Sequence, residues 1–371
     1  MTKDGKLEIF LVTVPGLEDV LCAEVRSKGF NSAKAVAGGV TIKGGWPEVW
    51  RANLWVRGAG RVLAQLASFR ALHLAELDNK ARHVRWSEVL RADVPFRVEA
   101  TCKKSRIFHS GAAAQRIETA IQAVLGATPS PAAEVLVRAH FDHDLCTISV
   151  DTSGELLHRR GYKDSVGTAP MRETMASLFL RQCGYDGTEP VLDPMCGSGT
   201  FVIEAAEIAA RLNPGRSRHF AFEQLATFDA EAWQRMRDVN SQRPSAVHFY
   251  GSDRDAGAIS MSRANAARAG VADLTEFRQS TISDLIAPQE PPGLVIVNPP
   301  YGTRLGEKKK LLPLYRALGQ TLISRFRGWR VGMIASEPTL ARATGLPFLP
   351  TTAPVPHGGL RVTLFRTEPL T

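Results

Sequence analysis

Residues 190–211 constrain the fold more than any other part of the chain. Three apolar residues precede Asp193, two glycines separated by one residue follow it, and residues 201–211 contain no Gly or Pro. This order predicts a strand, a tight glycine loop and a helix. Gly197 and Gly199 allow backbone angles that a side chain forbids, and they let a ligand approach the main chain. Asp193 would end the strand, where open parallel sheets bind their ligands.

A second motif follows about a hundred residues later. Residues 293–297 are apolar, and Asn298-Pro299-Pro300-Tyr301 comes directly after them. Such a run fits a parallel strand that is buried on both faces, and two prolines end it because they have no N–H to donate. Asn298 should therefore lie at the same sheet edge as Asp193. A glycine loop alone also forms ordinary tight turns, so the pairing of the two motifs is the specific signal.

Composition restricts the class of protein. The 371 residues suffice for two or three domains, and a chain that is 44% hydrophobic and 22% charged is typical of a soluble globular protein. No apolar run reaches the length of a membrane span, and the polar first residues do not resemble a secretory signal. Five scattered cysteines without CxxC spacing predict neither a disulfide framework nor a metal site. We expect a cytoplasmic protein with no membrane partner and no required metal.

Net charge points to a polyanionic partner. The chain carries a formal charge of +9, spread along its length, which favours nucleic acid over a surface that is basic only for solubility. The segment Lys103–Gly111 concentrates basic side chains before a predicted helix over 112–124. Its composition predicts RNA contacts through Lys103, Lys104, Arg106 and His109. The alternative is a solvated loop that Ile107 and Phe108 anchor in the core.

The order of elements predicts more than one domain. Residues 7–60 alternate strands and helices and suggest a small α+β module of the split ferredoxin-like kind. Further strands are expected at 96–100, 135–138 and 146–150. From residue 170 onward, helices at 170–180, 201–211, 256–269 and 311–326 alternate with strands at 190–192, 248–253, 274–278, 293–298 and 330–335. This alternation predicts a doubly wound parallel sheet, closed by a last strand at 360–365, with residues 212–246 as an insertion.

Asp253 ends the strand after the glycine loop and could accept hydrogen bonds from ribose hydroxyls. A helix N-cap is the alternative, although Asp255 lies closer to the predicted helix. In dinucleotide-binding proteins the acid follows the glycines by about 20 residues, whereas here Asp253 lies 54 residues after Gly199. Val202 also stands where such proteins have a third glycine. Both features weaken a nicotinamide oxidoreductase interpretation.

The motif at residues 298–301 suits transfer to an amino group. The amine of a nucleobase is a weak nucleophile because its lone pair is delocalised into the ring. The Asn298 side-chain carbonyl and the Pro299 main-chain carbonyl could accept its two N–H groups, while Tyr301 could stack on a base taken out of its helix. Holding the donor and the amine in line would supply most of the rate. Cys196, in the glycine loop, is expected to be a packing residue rather than a nucleophile.

Several segments together resemble one family, the THUMP-domain RNA guanine-N2 methyltransferases of the bacterial large-subunit ribosomal RNA type. They are Val14–Leu17, Gly38–Val40, Lys104–Gly111, Arg160–Lys163, Ala169–Thr174, Phe220–Glu223 and Asn298–Gly306. The similarity covers nearly the whole chain. It implies an α/β fold in which a Rossmann-like class I methyltransferase domain (residues 165–371) follows an α+β ferredoxin-like domain (1–60) and a THUMP RNA-binding domain (61–153).

The resemblance also implies the cofactor, S-adenosylmethionine, and its site. The implied cofactor-binding residues are Asp193, Met195, Gly197, Gly199, Thr200, Asp253, Asp284 and Asn298, with Asn298, Pro299, Pro300 and Tyr301 as the catalytic loop. One position departs from the family pattern. Where many relatives have an acid to bind the adenine, this chain has Thr281, so Asp284 is the favoured residue, with Ser280 or Thr281 as alternatives. Lys308–Lys310 could bind RNA phosphate or simply begin a solvated helix.

The resulting hypothesis is methyl transfer from S-adenosylmethionine to the exocyclic N2 of a guanine in RNA, most consistent with large-subunit ribosomal RNA. Transfer RNA as the substrate, and adenine-N6 methylation of RNA or DNA, remain alternatives, since both target amines are conjugated with a ring. A non-enzymatic RNA-binding or assembly protein is the alternative from another class. The retention of Asp193, Gly197, Gly199, Asp253 and Asn298 disfavours it, because a binding protein does not need that set.

Overall fold

The computed structural model describes residues 6–163, 171–239, 245–301 and 305–371, without the side chains of 305–309. Two compact units account for the chain. The first contains residues 1–13, 21–157 and 218–240, and the second contains residues 14–20, 158–217 and 241–371. No helix in the described ranges combines the length and the apolar character needed to cross a membrane.

The first unit begins with a β-α-β-β-α-β module. Its elements are β1 (Leu7–Val12), α1 (Glu18–Ser27), β2 (Lys34–Val36), β3 (Gly39–Gly44), α2 (Trp46–Trp55) and β4 (Arg61–Arg70). The strand order β2-β3-β1-β4, with antiparallel pairing throughout, is that of a ferredoxin-like fold. Alternate β1 residues such as Ile9 and Leu11 are fully buried, as expected for a strand that covers helices on one face.

The same sheet continues through the next hundred residues. These contribute α3 (Leu74–Arg82), β5 (Phe96–Lys103), α4 (Ser110–Leu125), β6 (Val135–Asp142) and β7 (Leu145–Asp151). Because β4 pairs with both β1 and β7, one seven-stranded sheet runs through residues 7–151 in the order β2-β3-β1-β4-β7-β6-β5. The predicted boundary between residues 60 and 61 falls at the start of this shared strand, and the division into two domains there remains a proposal.

The second unit carries the other seven-stranded sheet. Its elements are α5 (Glu173–Gln182), β8 (Val191–Asp193), α6 (Thr200–Ala209), β9 (Phe249–Asp253), α8 (Ala256–Ala269), β10 (Thr275–Gln279), β11 (Leu294–Val297), α9 (Leu305–Arg325), β12 (Arg330–Ala335), α10 (Pro338–Ala343), β13 (Val355–His357) and β14 (Leu360–Arg366). The order is β10-β9-β8-β11-β12-β14-β13. The first five of these strands are parallel, which confirms the Rossmann-like α/β class.

Two expectations for this sheet need correction. The sheet is mixed rather than purely parallel, because β14 pairs with β12 and with β13 in antiparallel fashion. Helix α9 begins at Leu305 instead of near residue 311, so Pro313 lies inside the helix, where its missing N–H costs one backbone hydrogen bond. Lys308–Lys310 therefore fall within a helix. The start predicted at Pro170 lies outside the described residues.

Residues 218–240 interrupt the second unit in sequence and belong to the first. They include α7 (Ala230–Asp238). Phe222 is fully buried, its ring stacks on Trp50 with centroids 6.1 Å apart, and its backbone N–H donates to the carbonyl of Thr152 at 3.1 Å. Trp233 meets the Phe222 ring edge-on at 5.0 Å. The segment predicted as an insertion thus completes the core of the other unit.

Candidate functional site

Three polar residues lie at the carboxyl edge of the second unit's parallel sheet. Asp193 ends β8, Asp253 ends β9, and Asn298 follows β11 directly. In the parallel register Asp193 is opposite Gly251 of β9, and Leu192 is opposite Val295 of β11. Asp253 and Asn298 therefore belong to the two strands that flank β8, one on each side of Asp193. Open α/β sheets bind ligands at this edge.

The glycine loop joins β8 to α6 in a fixed conformation. Gly197 and Gly199 have φ angles of +53° and +81°, a region that residues with a Cβ rarely adopt. A Cβ on Gly199 would lie 3.2 Å from the ring of Phe277 and 3.2 Å from Cβ of Ser262, so this glycine allows close packing. A Cβ on Gly197 would meet no atom within 4 Å, which leaves open space above that residue.

Backbone hydrogen bonds hold the loop against both strands. The Gly197 N–H donates to Asp253 Oδ2 at 3.0 Å, and the Met195 N–H donates to Asp193 Oδ1 at 3.0 Å. The Cys196 N–H donates to the carbonyl of Ser252 at 2.9 Å. The Ser262 hydroxyl of α8 donates to the Gly197 carbonyl at 2.8 Å. The loop and the two acidic strand ends therefore form one connected cradle.

Asp193 has an unusual electrostatic environment. Its side chain is almost fully buried, with 2% of the residue exposed. Burial raises the pKa of its carboxyl to about 8, the nearby Asp253 adds to the rise, and the hydrogen bond from Met195 opposes it. An ionised Asp193 would thus be stabilised by a cationic ligand group placed beside it.

Asp253 uses both carboxylate oxygens within the protein. Oδ2 accepts from Gly197, and Oδ1 accepts from the N–H of Asp255 at 3.0 Å. The N-cap of α8 is Asp255, whose Oδ1 accepts from the Gly257 N–H at 2.7 Å. Asp253 is therefore held by the loop rather than engaged as a helix cap, and each of its oxygens keeps a second lone pair for a ligand hydroxyl.

The three candidates for binding the cofactor's adenine lie together after β10. The Thr281 hydroxyl donates to Asp284 Oδ2 at 2.7 Å, and the Ser280 N–H donates to the Asp253 carbonyl at 3.0 Å. Asp284 is exposed at the end of a single 3-10 turn. A neighbouring cleft of about 360 Å³ is lined by Gln279 at the end of β10 and by four α8 residues, Ala256, Ile259, Ser260 and Arg263.

The loop after β11 is held by two tyrosines. The Tyr301 hydroxyl donates to Asn298 Oδ1, and the Tyr315 hydroxyl of α9 donates to the Pro300 carbonyl at 3.2 Å. Asn298 is half-buried. Burial raises the pKa of both phenols, so both remain protonated donors at neutral pH. Residues 302–304 of the quoted motif lie outside the described ranges.

A buried ion pair beside the glycine loop had not been predicted as part of the site. Lys163 Nζ lies 2.7 Å from Thr200 Oγ1 and 2.6 Å from Glu173 Oε1. The neighbouring pair of Arg160 Nε and Glu204 Oε1, 3.1 Å apart, is almost fully buried. The sequence showed Arg160–Lys163 as a basic stretch. Its acidic partners are Glu173 on α5 and Glu204 on α6. The only sign of them in the sequence is that each is an acid on an otherwise apolar helix face.

Cys196 fits its predicted role as a packing residue. The thiol is buried, burial raises its pKa, and its sulfur lies 3.7 Å from the Ser262 hydroxyl. Across the described ranges, no three His, Cys, Asp or Glu side chains come together as a possible metal ligand set.

The residues predicted to contact RNA belong to the first unit. Lys103, Lys104, Arg106 and His109 are all exposed, at the end of β5 and before α4. His109 has a further role, because its Nδ1 accepts from the Ala112 N–H at 3.0 Å and so caps α4. The alternative of a loop with two core anchors is only half right. Ile107 is buried, whereas Phe108 is 83% exposed.

Three solved structures are similar to this protein over nearly the whole chain. A possible methylase from Clostridium difficile 630 is 27% identical, with a TM-score of 0.90 over 99% of both chains. A predicted N6-adenine-specific DNA methylase from Listeria monocytogenes str. 4b F2365 is 28% identical, with a TM-score of 0.87 over 98% of this chain and 96% of that one. SMU.472, named as a methyltransferase and solved in complex with SAH, is 26% identical, with a TM-score of 0.88 over 99% of both chains.

Two family profiles match. Residues 8–63 match the RlmL ferredoxin-like domain, in agreement with the topology of β1–β4. Residues 160–349, more than half of the chain, match the RMKL-like methyltransferase domain. The chain therefore belongs to the RMKL-like methyltransferase domain family and is an S-adenosylmethionine-dependent methyltransferase.

Proposed function

We propose that this protein transfers a methyl group from S-adenosylmethionine to the exocyclic N2 of a guanine in large-subunit ribosomal RNA, in the cytoplasm. The observation that carries the proposal is the position of Asn298-Pro299-Pro300-Tyr301. This loop follows β11, next to the strand that ends in Asp193. An amide carbonyl is thereby placed one strand from the glycine cradle, so an amine acceptor and a methyl donor would bind at the same sheet edge.

The cradle fits the cofactor. The open space above Gly197 supplies room, and the carboxylate of Asp253 supplies acceptors for hydroxyl groups. The buried carboxyl of Asp193 would ionise beside a cationic group of the cofactor and then supply a counter-charge. We assign the methionine part to Asp193, Met195, Gly197, Gly199 and Thr200, the ribose to Asp253, and the adenine to Asp284, with Ser280 or Thr281 as the alternatives. When bound, the cofactor supplies an electrophilic methyl group on a sulfonium centre.

The loop residues would activate and hold the target base. Asn298 Oδ1 and the Pro299 carbonyl would accept the two N–H groups of the guanine amine, so that its lone pair faces the methyl group. In the structure Asn298 Oδ1 accepts from the Tyr301 hydroxyl. The target amine would replace that hydroxyl, and Tyr301 would turn to stack on the flipped base. Tyr315, through the Pro300 carbonyl, would keep the loop backbone in place.

The first unit would hold the RNA. We propose residues 1–60 as a ferredoxin-like domain, 61–153 as a THUMP domain and 165–371 as the methyltransferase domain, with phosphate contacts from Lys103, Lys104, Arg106 and His109. The exposure of these four side chains and the formal charge of +9 support RNA as the partner. The resemblance to large-subunit ribosomal RNA methyltransferases favours ribosomal over transfer RNA.

Methylation of adenine N6 is the second candidate. The likeness to a predicted N6-adenine-specific DNA methylase favours it, and the Asn-Pro-Pro-Tyr loop suits either amine. The two candidates differ in the base and not in the roles of the protein residues. Only the methylated nucleoside separates them.

The deciding experiment is methyl transfer from labelled S-adenosylmethionine to total RNA of a strain that lacks this gene, followed by nucleoside analysis. We expect label in N2-methylguanosine of large-subunit ribosomal RNA. Asn298→Ala should lose the activity while calorimetry shows nearly unchanged cofactor binding, since Asn298 is one of eight residues assigned to the cofactor but one of only two acceptors assigned to the amine. Label in N6-methyladenosine would overturn the base, and equal loss of cofactor binding would overturn the role of Asn298.

A further inference from the structure

Hydrogen bonds hold the segment Lys104–His109, here called the β5–α4 loop, at the end of the first unit's sheet. Asp144, in the turn between β6 and β7, is its main partner. Asp144 Oδ1 accepts from the Arg106 N–H at 2.7 Å, and the Asp144 N–H donates to the Ser105 hydroxyl at 2.9 Å. Ser105 Oγ in turn donates to the Lys103 carbonyl at 2.9 Å. These hydrogen bonds stabilise one backbone conformation of the loop, in which Lys104 has a φ of +46°.

Phe108 projects from the β5–α4 loop into solvent. The residue before it, Ile107, is 5% exposed and anchors the backbone, and the residue after it, His109, caps α4. Phe108 itself is 83% exposed, and no other Phe, Tyr or Trp in the described residues is comparably exposed. The fold thus fixes both neighbours of an aromatic side chain that contributes nothing to the core.

The charge around Phe108 is that of a nucleic-acid surface. Lys103, Lys104 and Arg106 are exposed within five residues of it, and the first turn of α4 contains no acid. Of the nearby acids, Asp144 Oδ1 accepts from the Arg106 N–H of this loop, and Asp142 Oδ1 lies 2.7 Å from Nδ1 of His143. The N-terminus of the 16-residue α4 adds its partial positive charge. An exposed ring beside such cations fits a base stacked on the ring and phosphates held by the cations.

We propose that Phe108 is a stacking platform for an unpaired base of the RNA substrate, flanked by phosphate contacts from Lys103, Lys104 and Arg106. The proposal deepens the proposed function and rests on RNA as the substrate. It requires a single-stranded or bulged nucleotide beside this loop, because the faces of a paired base are covered by its neighbours in the duplex.

The test measures the affinity of the full-length protein for a fluorescein-labelled single-stranded 12-nucleotide RNA, and for the duplex of the same sequence, over a series of KCl concentrations. Phe108→Leu keeps an apolar side chain and removes the aromatic face. We expect it to weaken single-strand binding about 5- to 100-fold at every salt concentration, and Phe108→Tyr to restore it. Val124→Ala, at a 50% exposed apolar residue in the last turn of the same helix, is the matched control and should bind as the unaltered protein does.

Salt dependence separates stacking from charge. Phe108→Leu should leave the slope of log affinity against log salt unchanged, whereas Lys103→Ala, Lys104→Ala and Arg106→Ala should each reduce it by about 0.7. Wild-type affinity in Phe108→Leu, or an equal loss on the duplex, would overturn the proposal. So would a change in the self-association of the protein alone, which would assign Phe108 to a protein contact.

The outcomes also distinguish this proposal from the proposed function. If RNA is methylated and Phe108→Leu binds normally, the stacking platform is wrong and the reaction stands. If no RNA is methylated but Phe108→Leu weakens single-strand binding, the platform stands and the reaction must be revised.

Discussion

At the scale of single residues, Asp193 combines a buried carboxyl with a position in the proposed cofactor site. Its pKa of about 8 means that the folded protein holds a proton there which the unfolded chain, with an ordinary pKa near 3.8, releases. The protonated form stabilises the fold fully below pH 3.8. That contribution is lost as the pH rises toward 8, because the folded state binds more protons than the unfolded state in this window.

Asp193→Asn should therefore make the protein's stability less dependent on pH. Between pH 5 and 8, the free energy of unfolding of the unaltered protein should fall relative to the variant by at most about 1.4 kcal/mol per pH unit. Urea unfolding of both proteins at several pH values measures the difference. Parallel pH profiles would show that Asp193 does not titrate in this range.

Only some residues of the candidate site could be predicted from the sequence. Asp193, Asp253 and Asn298 could be placed at one edge because each stands at the end of a predicted parallel strand. A glycine loop follows Asp193, a predicted helix follows Asp253, and two prolines follow Asn298. Lys163 could not be placed, since its contacts with Thr200 and Glu173 depend on how α5 and α6 pack. The exposure of Phe108 was likewise invisible, because an Ile-Phe pair in a loop gives no sign of which ring the fold buries.

At the scale of elements, irregular strands and helices were the hardest to predict. β4 was missed because a bulge between Gln65 and Ala67 breaks its alternation of buried and exposed residues. α3 was missed because only Leu77 and Ala81 of its nine residues are buried. The start of α9 was placed too late because a proline inside a helix was taken for its first turn. Regular elements such as α8 (Ala256–Ala269) were predicted with correct limits.

Helix α9 contains a glycine that packing requires. An ideal Cβ on Gly319 would lie 1.8 Å from the carbonyl oxygen of Thr344 at the end of α10. Replacing glycine by alanine inside a helix normally stabilises it by about 1 kcal/mol. Here we expect Gly319→Ala to destabilise the second unit by about 1–3 kcal/mol or more, because the backbone of α10 must move.

Urea unfolding checks this expectation. Gln320→Ala, at the exposed next residue of α9, is the control and should change stability by less than about 0.5 kcal/mol. A gain in stability for Gly319→Ala would contradict the close approach of the two helices.

At the scale of the whole molecule, two units are interleaved along one chain. Residues 218–240 lie in sequence between the glycine loop and Asp253, yet Phe220, Phe222 and Trp233 pack in the first unit. The sequence showed these residues only as a polar insertion with a helix. The sequence does not show which unit these aromatic residues pack in, because their contacts join residues far apart in the chain, such as Phe222 and Trp50.

Phe222→Ala should consequently lower the stability of the first unit, most of which precedes Phe222 in sequence. Loss of this fully buried ring should cost about 3–5 kcal/mol. Hydrogen exchange should show reduced protection in β4, β6 and β7, with protection in β8, β11 and β12 retained. Glu231→Ala, at an exposed side chain of α7, is the control. Reduced protection confined to the second sheet would contradict the assignment of this segment.

The interleaving also sets an order of events during synthesis. The ribosome finishes residue 157 about 80 residues before it finishes α7, which belongs to the segment that completes the core of the first unit. At about 5–20 residues per second, roughly 4–16 seconds pass before the segment that packs on Trp50 has been synthesised. The first unit cannot be completed until the glycine loop has been made, so synthesis of the first strand of the second unit's sheet must precede completion of the first unit's core.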